Sequence, residues 1–274
     1  MRSGIHRWSP LFLVLAAAST AAAAEQPQER KAPAAKFDTE TERHLREMSD
    51  FLAEQRQFTV QTQGTLEVVD NKDEKIQIHR QGKVLLQRPD RLKVERSGDL
   101  ADLELYYDGR QLSLYGKKNH AYATTPAPPS LDATLNMAQD QLGLDPPAAD
   151  LLYSSVYNVL RDNMNSGRYL GRANVEGVTT HHLAFRGDEV DVQLWIEDGP
   201  RPLPRKYVVT SKEDPQAPQY SVVLSDWDLT PRLSDAQFTF QPPSDAMKVS
   251  FLAPDTRGDS GSKEQPGKRN PPNE

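Results

Sequence analysis

Val190-Asp191-Val192-Gln193-Leu194-Trp195-Ile196-Glu197 decides the reading of this chain. Val190, Val192, Leu194 and Ile196 alternate with Asp191, Gln193, Trp195 and Glu197, which is the period of a strand with one face on a core. Asp198-Gly199-Pro200-Arg201-Pro202-Leu203-Pro204 then breaks the run. Proline cannot donate to a ladder, and Asp-Gly favours a tight turn. Residues 181–185 before it, and 206–211 and 220–229 after it, read as neighbouring antiparallel strands.

The N-terminal half carries the same signal. Phe58, Val60, Thr62, Gly64, Leu66 and Val68 share one parity, and Ile76, Ile78, Arg80, Gly82, Val84 and Leu86 form the return strand after a polar turn at 70–73. Leu92, Val94 and Arg96 continue the alternation, followed by Leu103, Leu105 and Tyr107. Asp108-Gly109 is the strongest hairpin signal, since a type I′ turn needs positive φ at both central residues. Leu112, Leu114 and Tyr122 belong to the strands after it, so the segment is a meander of sequence neighbours.

Two helical signals interrupt the strands. Asp38 or Thr39 caps a helix to about Glu54, with Leu45, Met48 and Leu52 on one side and acids in the first turn. Pro126-Ala127-Pro128-Pro129 opens an insert in which Ser130 caps a helix carrying Leu131, Leu135, Met137, Ala138 and Leu142. A second insert helix is predicted from near Ala148 through Leu151, Leu152, Val156, Tyr157, Leu160 and Met164. The last strand is expected around Val249 and Phe251.

Composition narrows the function classes. The chain has 274 residues, no cysteine and a formal net charge of −6. Residues 1–24 read as a secretory signal peptide, with Arg2 and Arg7 before an apolar run and Ala22-Ala23-Ala24 at the cleavage position. Its removal leaves 250 residues and a net charge of −8, because no acid leaves with the two arginines. The expectation is an exported protein without a stable membrane anchor. Residues 25–36 read as a flexible leader, 37–252 as one domain, and 253–274 as a disordered tail rich in Pro, Gly and charge. An acidic exported chain is a poor nucleic-acid binder. The absence of cysteine removes thiol catalysis and thiolate metal sites.

Long antiparallel sheets curl. The expected fold is α+β but mainly β: a strongly curved antiparallel sheet, a half-open barrel, with the helices as a lid over its concave side. The mouth of such a barrel is a common place for an apolar cavity. Met137, Leu142, Leu151, Leu152, Val156 and Leu160 are the candidate lining, with Trp195 and Trp227 at the mouth; the same stripes also read as ordinary helix-to-sheet core. His181-His182 with Asp188, Glu189 and Asp191 suggests metal, but adjacent strand residues face opposite ways, and no cofactor is expected. No nucleophile elbow, phosphate loop or zinc motif is present.

The order of elements, the segment Gln193-Leu194-Trp195-Ile196-Glu197 and the following Leu203-Pro204-Arg205-Lys206 are similar to the LolA/LolB-like superfamily of periplasmic lipoprotein carriers. Arg88-Pro89-Asp90-Arg91-Leu92, Leu105-Tyr106-Tyr107-Asp108-Gly109, Ala149-Asp150-Leu151-Leu152-Tyr153 and His182-Leu183-Ala184-Phe185 more closely resemble an uncharacterised family of predicted periplasmic proteins, over about residues 37–251. The resemblance implies an unclosed barrel, a helical lid and a non-catalytic hydrophobic-ligand carrier, with a lipid, acylated peptide or lipoprotein as partner. The alternatives are an envelope sensor that binds a protein partner through the same domain, and an exported hydrolase. No arginine is matched with the one by which those carriers lock their lid.

Overall fold

The computed structural model describes residues 36–144, 146 and 148–251. The expected signal peptide, nearly all of the leader, and the tail lie outside the described residues. Twelve strands form one curved, unclosed sheet. They are β1 (Gln57–Val69), β2 (Lys75–Gln87), β3 (Arg91–Gly98), β4 (Leu103–Tyr107), β5 (Gln111–Gly116), β6 (Ala121–Pro126), β7 (Ser166–Val175), β8 (Val178–Arg186), β9 (Val190–Glu197), β10 (Pro204–Ser211), β11 (Gln219–Asp228) and β12 (Met247–Lys248). The order β12-β6-β5-β4-β3-β2-β1-β11-β10-β9-β8-β7 joins two meanders through the antiparallel β1–β11 pair. β12 alone pairs in parallel, against β6. It is two residues long and lies just before the position expected for the last strand.

Among the described residues three α-helices accompany the sheet: α1 (Thr39–Glu54), α2 (Leu131–Leu142) and α3 (Val156–Asn163). Asp38 caps α1 by accepting from the Thr41 amide, and Ser130 caps α2 by accepting from that of Ala133. Gly143, at φ 62°, ends α2 in the left-handed conformation that suits glycine. Leu45, Met48 and Leu52 of α1 are fully buried. α1 packs along β7 and α3, where Ser49 Oγ accepts from the Tyr157 amide at 3.0 Å.

Two local expectations are corrected. The continuous helix through Leu151 and Met164 is instead a single 3₁₀ turn, Ala149–Leu152, an extended Tyr153 and then α3. Arg88 explains the break: its guanidinium donates to the carbonyls of Leu152 and Tyr153 at 3.3 and 3.2 Å, and Ser155 starts α3 with a new cap. At the β4–β5 hairpin, Tyr107 faces Leu112 and the Asp108 amide donates to Gln111 O, so the turn centres on Gly109-Arg110. Gly109 has φ 88° but Arg110 is not left-handed. Asp108 takes the preceding position, where its carboxylate accepts from the amides of Arg110 and Gln111.

The alternation sorts the sheet into a helix-covered face and an outer face. On the covered face of β8–β10, Leu183, Phe185, Val192, Leu194, Ile196 and Tyr207 are at most 1 % exposed. On the same face of β3–β5, Val94, Leu103, Leu105 and Leu114 are only half-buried. One half of the trough is packed solid; the other is not.

Candidate functional site: an apolar cavity beneath α2

The unfilled half holds a cavity of ≈ 450 Å³. Leu92 and Val94 of β3, Leu103 and Leu105 of β4, and Leu112 and Leu114 of β5 form its floor. Leu131, Thr134, Leu135 and Ala138 of α2, at helical spacing, form its roof, and Leu144, Ala149, Leu152 and Tyr153 close one side. Its size falls within the roughly 300–1,000 Å³ of ordinary ligand pockets.

Hydrogen bonds hold the roof in place. The Leu131 amide donates to Pro89 O at 2.9 Å, and the Tyr107 hydroxyl to Pro128 O at 2.6 Å. Asp132 accepts from the Ser154 amide at 3.0 Å and from the Ser154 hydroxyl, while the Tyr153 hydroxyl donates to Asn136 Oδ1 at 2.8 Å. These contacts join α2 to the segment before α3, so the cover is one bonded unit. Arg88 fastens that unit to the end of β2, and burial holds its guanidinium below the ordinary arginine value. From β10 in the packed half, the Tyr207 hydroxyl donates to Asp150 Oδ2 at 2.6 Å.

Of the residues expected to line a cavity, Leu152 does so. Leu151, Val156 and Leu160 are buried in the packed core. Met137 and Leu142 lean half-buried against that core without facing the cavity. Trp195 lies on the outer face: it stacks on His182 across the β8–β9 ladder, with ring centroids 4.0 Å apart, under the Lys206 ammonium. Trp227 packs against Phe58 and donates to Pro204 O at 3.2 Å. The floor leucines of β3–β5 and the arginines Arg80 and Arg96, which also line the cavity, were missed as site residues. Their inward parity was visible in the alternation; that the helices leave this half unfilled was not.

The histidines divide as adjacent strand residues must. His182 faces outward and bonds Gln193 Oε1 at 3.0 Å; burial holds its imidazole below the ordinary value. His181 faces α1, stacks on His44 at 3.6 Å, and lies 3.1 Å from Asp198 and 3.0 Å from the Tyr169 hydroxyl. Asp188 accepts from Asn165, and Asp191 pairs with Lys212. Among the described residues, no three potential His, Asp or Glu ligands converge on a metal position. Two other hollows, ≈ 600 Å³ by Gln61, Gln81 and Lys83 and ≈ 590 Å³ by Arg43, Glu47 and Asp198, are open and polar.

The fold and cavity define an open-sheet protein with a helix-roofed apolar hollow. Residues 41–252 match the family model described as "Predicted periplasmic protein (DUF2092)", and the chain belongs to that family. No curated protein matches it. Among solved structures it is similar to an uncharacterized conserved protein from Thermus thermophilus (12 % identity, TM-score 0.48, 77 % of this chain and 99 % of that one). It is also similar to LprF from Mycobacterium bovis (12 %, 0.41, 76 % and 98 %) and to a LolA superfamily protein, NE2245, from Nitrosomonas europaea (13 %, 0.34, 73 % and 97 %).

Proposed function

We propose that this is a periplasmic, non-catalytic binding protein that holds the acyl chain of a lipid, acylated peptide or lipoprotein in the cavity beneath α2. The observation that carries the reading is the ≈ 450 Å³ hollow floored by leucines of β3–β5, in a sheet whose other half is packed solid. The family description, and the reading of residues 1–24 as a signal peptide, support the compartment. Each CH₂ transferred from water contributes about 0.8 kcal/mol, so an alkyl chain of modest length binds usefully without polar contacts. Release then needs a partner offering a site that is equally dry.

The test is extraction of natively purified protein into organic solvent, followed by mass spectrometry. Wild type should release lipid or acylated peptide, and Leu114→Trp, which places an indole in the hollow, should release much less. Equal yields from both proteins, or no lipid together with no uptake of the neutral probe N-phenyl-1-naphthylamine, would defeat the proposal. A tight protein partner retained by an empty wild-type cavity would favour the sensor reading instead.

A further inference from the structure

Two charges stand where the strand pattern calls for apolar side chains. Arg80 follows Ile76 and Ile78 at the inward parity of β2, and Arg96 follows Leu92 and Val94 on β3. The register sets Arg80 opposite Gly98 and Gly82 opposite Arg96, so the arginines are diagonal neighbours on one face of the sheet. Both line the cavity. At about 3.3 Å per residue, Arg96 lies about 13 Å along β3 from Leu92, toward the end of the trough away from the Leu131–Pro89 anchor of α2.

Among the described residues, neither arginine has an acid partner. No ion pair among the described residues includes Arg80 or Arg96, and no side-chain hydrogen bond does. Among the described residues, the carboxylate that lines the cavity is that of Asp150, which accepts from the Tyr207 hydroxyl. Burial pushes the Arg96 guanidinium below its ordinary value, and the charge of Arg80 pushes it further. Burial raises the Tyr220 phenol while both arginines oppose that shift, so all three groups share one electrostatic neighbourhood. A guanidinium cannot shed its proton to relieve such a site. Like charges on neighbouring strand positions are unfavourable.

Glycines flank Arg80 across both ladders, Gly64 on β1 and Gly98 on β3. A Cβ on Gly98 would come within 2.4 Å of His79 O and 3.4 Å of Arg80 Cγ, and one on Gly64 within 2.1 Å of Ser221 O. The close backbone approach therefore excludes side chains at the two positions paired with Arg80.

We infer that the cavity takes an anionic amphiphile, its chain over the leucines of β3–β5 and its carboxylate or phosphate head on Arg80 and Arg96. The inference rests on the acyl-chain reading of the cavity and adds the class of head group. Planar guanidinium forks match both oxyanions bidentately, and an incoming head would neutralise two cations that no described residue pairs with.

The test is displacement of N-phenyl-1-naphthylamine from the full chain at neutral pH by dodecanoate, dodecyl phosphate, dodecanol and inorganic phosphate. Wild type should prefer at least one charged twelve-carbon ligand over dodecanol by about tenfold or more, the usual worth of a charge-assisted hydrogen bond. The stronger of the two identifies the head as carboxylate or phosphate. Arg80→Gln and Arg96→Gln should lose that preference, each binding the charged ligands no better than it binds dodecanol; Arg80→Lys and Arg96→Lys should keep part of it. Equal binding of dodecanol and the charged ligands, or a preference that survives both glutamine variants, overturns the head-group assignment and leaves the acyl-chain reading standing. Inorganic phosphate binding as tightly as dodecyl phosphate overturns it in favour of a small-anion site. Displacement by none of the ligands overturns both readings.

Discussion

Ala138→Phe tests whether the space under α2 is real. Ala138 is 6 % exposed and faces the ≈ 450 Å³ hollow from the roof. In a filled core, forcing a phenyl group into this position would cost about 1–3 kcal/mol through displaced side chains and backbone. In a hollow of this volume the ring instead leaves water for apolar contact, a gain of about 1.5–3 kcal/mol. Replacing alanine within a helix returns roughly 0.5 kcal/mol of that, and ordering the side chain returns a similar amount. The net expectation is stabilisation by about 1 kcal/mol, or about 2–4 °C in Tm for a domain of this size. Urea unfolding should show a higher midpoint with an unchanged m-value, and probe uptake should fall because the phenyl ring occupies the site. Ala133→Phe is the control: Ala133 lies on α2 outside the lining, so the variant carries the helix cost without the filling. Destabilisation of Ala138→Phe by more than about 1 kcal/mol would mean that the roof already touches the floor, and undiminished uptake would place the ligand elsewhere.

Three further outcomes follow from other contacts. Leu194→Ala, in the solid half and fully buried, should cost about 3–5 kcal/mol, whereas Leu114→Ala, which borders existing space, should cost clearly less; equal losses in denaturant titrations would contradict the two-part packing. Arg88→Met removes two bonds to the Leu152 and Tyr153 carbonyls and should destabilise the segment before α3 by about 2 kcal/mol. Faster hydrogen exchange confined to that segment and α2 is the expected signature, and an unchanged exchange pattern would count against the clamp. His44 is held below the ordinary histidine value of 6.5 by burial first, then by His181 and Arg43, although Glu47 and Glu40 oppose the shift; Tyr169 packs on the same ring and Asp198 faces it through His181. The folded state therefore binds fewer protons than the unfolded chain just below pH 6.5, so stability should fall as pH drops through that window. His44→Gln should flatten the dependence measured between pH 7.5 and 5, and a slope equal to wild type would refute the assignment.

The strands were legible because the alternation is local. Val192, Leu194 and Ile196 are buried, and Gln193, Trp195 and Glu197 are not, as the quoted run requires. The caps at Asp38 and Ser130 and the opposed faces of His181 and His182 were legible for the same reason. Local pattern failed where a distant group intervened. The insert's apolar stripe suggests one helix, but Arg88, more than sixty residues earlier in the chain, takes the carbonyls that helix would have used. The stripe also nominated Leu151, Val156 and Leu160 for the cavity, because burial against a filled core and burial against a hollow leave the same periodicity.

The sequence alone carries the antiparallel meanders, the helical insert between them, the acidic composition and the parity that Arg80 shares with Ile78 and Arg96 with Val94. These depend on neighbours one to four positions apart. Tertiary structure decided that β1 joins β11, that α1 and α3 belong to the packed part of the molecule, and that α2 roofs β3–β5 without filling them. Side-chain volumes from segments far apart must be summed in space before a void appears, and alternation along one strand carries no record of that sum.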